Sequence, residues 1–288
     1  MRTDEDTADD RTADDRTADD RTADGRTAHG RTAEDRLRAA GLPVTDLGPV
    51  LAEESDPLLF VTVSGAHLYG FPSRDSDVDL RGVHLLPVAA LTGLHEPAET
   101  RSWMADRDGT EMDLVTHDLR KFARLMLRHN GYVLEQLLSP LVVRTSETHR
   151  ELTALAPGVL TGHHAHHYEG FARTQWRLFE KTGELKPLLY TFRALLTGIH
   201  LMRSGEIQAH LPTLLGEVAA PGYLPELIAA KAAAEHGRAD GPGPERLRAD
   251  VEALGAVLEE ARSDTALSDA PVAYEALHEL VVRVRLER

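Results

Sequence analysis

Two hydrophobic rhythms divide the chain. From Leu58 to Val63 the residues are apolar or β-branched without a break, which predicts a short buried strand. Gly65 and Gly70 bound the next segment and predict a turn at the edge of a sheet. Polar and apolar residues then alternate through Asp77-Val78-Asp79-Leu80, so a strand here buries Val78 and Leu80 and turns both carboxylates to one face. Glu111-Met112-Asp113-Leu114-Val115 repeats that alternation and predicts a second half-buried strand beside the first. Beyond about residue 117 the period becomes helical, through Leu119, Phe122, Leu125 and Met126. After the Asn130-Gly131 break it resumes through Val133, Leu134, Leu137 and Leu138, to end at Pro140. Leu141-Val142-Val143 predicts an edge strand, and helices follow at about 164–182, 187–204, 223–236, 244–262 and 270–287. Gly241-Pro242-Gly243-Pro244 breaks the loop at 237–244. The expected fold is α+β, a small mixed sheet with flanking helices followed by an α-helical C-terminal half.

Composition changes this picture at the N-terminus. Residues 1–36 are a degenerate five-residue array, Arg11-Thr12-Ala13-Asp14-Asp15 and its decaying copies. A period of five suits neither helix nor strand, and the array has no large apolar residue after Met1, so a disordered low-complexity tail is expected. Either an acidic partner-binding tail or a segment without function fits it. The expected organisation is this tail at 1–36, a catalytic domain at 37–145 and a helical domain at 146–288. The tail carries −5 of the net charge of −15, which leaves −10 on the rest. An acidic body argues against an extended basic nucleic-acid surface. No apolar run approaches the roughly 20 residues of a membrane span, no leader-like pattern is present and there is no cysteine, so a cytoplasmic protein without a membrane partner is expected.

The candidate chemistry lies between Ser64 and Leu86. Asp77 and Asp79 share a strand face, so both can reach one divalent cation. An isolated Asp-x-Asp is common in solvated turns, and a glycine turn without Lys-Ser/Thr is not a P-loop. The order of parts is more specific: apolar strand, glycine turn, a spacer ending in Ser76, then a strand bearing both acids. That order predicts a phosphate cradle beside a metal site.

These residues resemble the Gly-Ser-x(n)-Ser-Asp-x-Asp signature of the DNA-polymerase-β-like nucleotidyltransferase superfamily. The longer form, His67-Leu68-Tyr69-Gly70 with Ser76-Asp77-Val78-Asp79-Leu80-Arg81-Gly82-Val83, is similar to its RNA-repair-associated branch, the RlaP type. Asp113 to Phe122 and Asn130 to Leu138 resemble the third-acid strand and following helix of that branch, while Lys186, Tyr190, Arg193 and Ser204-Gly205-Glu206 resemble its helical half. The resemblance spans about residues 57–215. It implies a nucleotidyltransferase in which Asp77, Asp79 and Asp113 are catalytic and hold two Mg²⁺ ions, with Mn²⁺ as a substitute. It further implies that Gly65, Ala66, Tyr69, Gly70, Ser76, Lys186 and Arg193 bind the nucleotide. An NTP would be the donor, an RNA end the favoured acceptor, and components of an RNA-ligase pathway the partners.

One position departs from the signature. Ala66 stands where the superfamily has Ser after the first glycine, which leaves backbone N–H groups to hold phosphate and Ser64 or Ser73 to replace the hydroxyl. Arg120, Lys121, Arg124 and Arg128, and the group Arg173, Arg177, Lys181, Lys186 and Arg193, recur at helical spacing and suit either solvated faces or a phosphate-lined cleft. His163-His164-Ala165-His166-His167 has the i, i+4 spacing of a zinc pair but fits a solvated helix start better, and Glu135 is expected to pair on its helix. Three readings follow: NMP transfer to an RNA hydroxyl, AMP transfer to a protein as in antitoxin-type members, and an inactive nucleotide- or RNA-binding module.

Overall fold

The computed structural model describes residues 33–42, 47–107, 109–233 and 241–287. Two short helices, α1 (Ala33–Ala39) and α2 (Gly48–Leu51), precede β1 (Leu58–Val63), α3 (Gly65–Tyr69), β2 (Val78–His84) and α4 (Val88–Thr92). The hairpin of β3 (Thr100–Arg107) and β4 (Thr110–Asp118) leads into α5 (Leu119–Leu127), α6 (Gly131–Leu137) and β5 (Val142–Arg144). The rest is helical: α7 (Glu147–Leu155), a 3-10 turn (Ala156–Val159), α8 (His164–Thr182), α9 (Leu185–Ser204), α10 (Leu211–Glu217), α11 (Leu224–Ala233), α12 (Pro244–Ser263) and α13 (Tyr274–Leu286). The architecture is thus α+β with a helical C-terminal half. Residues 1–32 of the low-complexity array lie outside the described residues, whereas residues 33–36 belong to α1.

The sheet has the order β3-β4-β2-β1-β5, and it is mixed because β2 and β4 run parallel while the other neighbours are antiparallel. β1 is buried at all six positions, as an unbroken apolar run requires of a strand covered on both faces. In β4 the burial alternates, with Met112 and Leu114 inward and Glu111 outward. β5 forms one edge, as its short apolar run predicts. The other edge, β3, escapes the hydrophobic pattern because no position in it is fully buried. Its partner β4 covers it on one side only.

The buried residues form one cluster from Leu37 to Val284, so the sheet and the helical half share a core. A buried ion pair adds to it. Asp118 caps α5 by accepting from the Arg120 N–H at 2.9 Å, and the Arg285 guanidinium of α13 bonds both of its carboxyl oxygens at 2.9 Å. The last helix is therefore fixed to the C-terminal end of β4. Helices α8 and α9 form a hairpin turned at Gly183, whose φ of 69° suits glycine. No described helix is long and apolar enough to cross a membrane.

Candidate active site

The parallel register of β2 and β4 brings the acids together. Asp79 is paired with Asp113, so the two side chains lie on adjacent strands at the same level, while Leu80 and Leu114 face the core. Both carboxylates are about 30% exposed, at 30% and 29%. Asp77 comes one residue before β2 and is exposed.

The glycine turn closes over this pair. The Ser64 N–H donates to the Asp79 backbone carbonyl at 2.8 Å, which ties the start of the turn to the start of β2. Gly65 follows with φ of 64°, and a Cβ there would overlap the Asp79 Oδ2 atom. Glycine is required on both counts. No side chain caps the five-residue helix α3 that begins here, and Gly70, with φ of 83°, ends it. Ala66 is buried, as is Ser64, whose hydroxyl has no protein partner.

Arg81 lies between the two acids. Its Nη2 donates to Asp79 Oδ1 at 2.6 Å and to Asp113 Oδ2 at 3.0 Å, and its Nε donates to the Tyr132 hydroxyl at 3.1 Å. Burial raises the Asp79 pKa; Arg81 opposes that shift, Asp113 adds to it, and Lys186 lowers it again. Lys186, half-buried at the start of α9, is thereby within electrostatic reach of Asp79. For Arg81, burial works against the charge, and Tyr132, Asp79 and Asp113 more than offset it, so its pKa is raised.

The remaining sequence-predicted residues are elsewhere. Tyr69 and Arg193 are 2% and 3% exposed, in the interior beneath the turn. Arg193 donates to Glu135 Oε1 at 2.7 Å and sits 4.0 Å from the Tyr69 ring centre, while the Tyr69 hydroxyl donates to Glu135 Oε2 at 3.0 Å. This triad braces the turn from inside and does not meet the acids. Glu135, expected to cap or pair on its own helix, instead pairs with Arg193 of α9, because burial beneath the turn brings that guanidinium within reach. Ser76 caps the segment before Asp77, its hydroxyl accepting from the Ser73 N–H at 2.9 Å, and Lys231 of α11 donates to the Ser73 hydroxyl at 3.1 Å. Ser73 is thus engaged within the protein.

The basic groups resolve similarly. Arg120 and Arg124 pair with Glu99, and Arg173 pairs with Glu169. His129, His163, His166 and His167 line an open groove with Arg128. Among the described residues no three His, Cys, Asp or Glu side chains are grouped to hold a metal, neither there nor at Asp77, Asp79 and Asp113. A cavity of about 740 Å³ lies at the opposite end of α3 from Gly65, lined by His67, Gly70, Glu135, Ser139 and His210, and contains none of the three acids.

The sequence pattern missed Arg81, Tyr132 and Lys231. For Arg81 a signal existed, since it stands two residues after Asp79 and period two puts both on one face. Tyr132 and Lys231 act across 51 and 158 residues, beyond any local pattern.

The donor set fits a hard divalent cation. Asp79 and Asp113 oxygens converge on a single guanidinium nitrogen, and the absent side chain of Gly65 leaves room for the second Asp79 oxygen. Mg²⁺ commonly uses one or two carboxylates plus substrate phosphates rather than an all-protein cage.

The site is thus a mixed sheet that places two carboxylates on parallel neighbours beneath a glycine turn. Residues 44–283 match the RlaP family, described as the RNA repair pathway DNA polymerase beta family, and the chain belongs to that family. The match extends past the 57–215 covered by the resemblance and takes in α11, α12 and most of α13. An uncharacterized protein of Methanocaldococcus jannaschii is 34% identical over 155 residues, which are 52% of this chain and 63% of that protein. The chain thus spans less than two thirds of that relative. The crystal structure of a nucleotidyltransferase-like protein from Exiguobacterium sibiricum is similar over 88% of this chain and 80% of its own, at 12% identity and a TM-score of 0.30.

Proposed function

We propose that the protein transfers a nucleoside monophosphate from an NTP to a hydroxyl, releasing pyrophosphate, with an RNA end as acceptor. The observation that carries this reading is the pairing of Asp79 with Asp113 beside Gly65. A bound Mg²⁺ or Mn²⁺ would supply Lewis-acid activation of the α-phosphorus and stabilise the leaving oxyanion. Asp79 and Asp113 would hold it, with the exposed Asp77 joining from the strand entrance. Backbone N–H groups at the uncapped start of α3 orient the phosphates, and Lys186 balances their charge. On the side of β4, Asp113 would direct the held cation toward the acceptor hydroxyl. Tyr132, exposed at the mouth and bonded to Arg81, offers a ring on which an unpaired base can stack. The family's description as an RNA repair pathway family supports RNA over protein as the acceptor.

Labelled NTPs, Mg²⁺ or Mn²⁺, and either RNA or total cell protein separate the readings. A lengthened RNA supports the proposal. A labelled protein band transfers the reading to AMP attachment on protein, and no product with any combination leaves a non-catalytic binding module.

A further inference from the structure

A guanidinium has five N–H donors and no acceptor, and Arg81 uses all five. Besides the bonds to Tyr132, Asp79 and the Asp113 carboxylate, its Nη1 donates to the backbone carbonyls of Leu80 at 2.9 Å and Asp113 at 2.8 Å. A cation resting on two acids for charge alone would leave donors to solvent. Arg81 is instead anchored to fixed points on β2 and β4, and its side chain is only 11% exposed. The positive charge is thus built into the sheet at the point where Asp79 Oδ1 and Asp113 Oδ2 converge, so these oxygens are engaged before any ligand arrives.

We propose that Arg81 is a positioning residue, an internal counter-cation that holds Asp79 and Asp113 in register and keeps the site's affinity for a free divalent cation low, so that the cation is taken up together with nucleotide phosphates. This rests on the nucleotidyltransferase reading above. Two carboxylates facing each other without a counter-cation attract a divalent ion strongly, and a guanidinium between them cancels half of that charge and competes for the same lone pairs. Phosphate oxygens restore what Arg81 removes. They bring additional negative charge and additional ligands, of the kind Mg²⁺ accepts from its substrates.

Mn²⁺ titration followed by electron paramagnetic resonance tests this without turnover. In the wild type, Mn²⁺ alone should bind at least about tenfold more weakly than Mn²⁺ with a non-hydrolysable NTP. Arg81→Met should bind Mn²⁺ alone at least about tenfold more tightly than the wild type, while Arg81→Lys, which keeps a charge beside the acids, should stay within about threefold of it. Arg81→Gln replaces the Met variant if a melting curve shows that the latter is unfolded. Equal or weaker Mn²⁺ binding by the folded neutral variant overturns the proposal, as does a wild type that binds Mn²⁺ equally well with and without nucleotide. Failure of every variant to bind nucleotide would count against the nucleotidyltransferase reading, whereas the comparison of neutral variant and wild type on Mn²⁺ alone still decides the role of Arg81.

Discussion

Replacing Glu135 by Gln should cost the protein about 3–5 kcal/mol, because it strands the Arg193 charge in the interior. Glu135 and Arg193 are 1% and 3% exposed at the side chain and 2.7 Å apart. Burial disfavours the Arg193 charge, yet Glu135 and Tyr69 more than compensate and raise its pKa. Gln keeps the size of Glu, and its amide can still accept from Arg193 Nη1 and donate to the Tyr69 hydroxyl, but it brings no negative charge. The cost is that of leaving the Arg193 guanidinium buried without a counter-charge. The stacking of Arg193 on Tyr69, at 4.0 Å, survives and offsets part of the loss by about 0.5–2 kcal/mol. Against a typical total stability of about 5–15 kcal/mol the change is large and readable from urea unfolding followed by circular dichroism. The double variant Glu135→Met/Arg193→Met should recover at least half of the loss, since exchanging a whole buried pair for apolar side chains is close to neutral. A cost below about 1 kcal/mol for Glu135→Gln, or a double variant less stable than the single one, would refute the argument from stranded charge.

Three more outcomes follow from local geometry. Burial holds the pKa of His164 at about 4, so between that value and the unfolded value of about 6.5 the unfolded chain binds a proton that the folded chain excludes, and stability falls as pH falls through this window. Relative to pH 7.5, the loss in urea-unfolding free energy at pH 5 should be smaller by about 2 kcal/mol in His164→Asn than in the wild type; equal losses would show that His164 is not the proton acceptor. Gly65→Ala should destabilise by more than about 1–2 kcal/mol, from the positive φ plus the overlap with Asp79, and weaken nucleotide binding in calorimetry. Gly170→Ala, at an exposed helical position with open space around it, should stabilise by about 0.5–1 kcal/mol, and a reversed order of the two melting temperatures would contradict this assignment.

The parts of the site nearest in sequence were the most legible. Six buried residues in a row marked β1, the two alternating runs marked β2 and β4, and their acids meet because the strands pair in parallel register. Helix α8 matches the expected 164–182, since its apolar period and the Gly183 stop are both local. Edge strand β3 was not legible from hydrophobicity, although Asp108-Gly109 between β3 and β4 is a hairpin signal in the sequence. Arg193 and Tyr69 carried family positions but no sequence cue to their depth. Their burial follows from Glu135, 58 and 66 residues away, and a charge on a helix face reads as exposed until its partner is known. The function of the helical half in holding the segment before Asp77, through Lys231 and Ser73, rests on a separation of 158 residues and is equally invisible locally.

Single-turnover NMP transfer by Asp113→Asn, measured with saturating Mg²⁺ beside the wild type and Asp79→Asn, tests the central claim most directly. Asn conserves volume and hydrogen bonding but removes the charge that would hold a cation, so both variants should retain the wild-type fold, with stability within about 1 kcal/mol, and lose transfer. Full transfer by either folded variant would contradict the assignment of Asp79 and Asp113 as the catalytic pair.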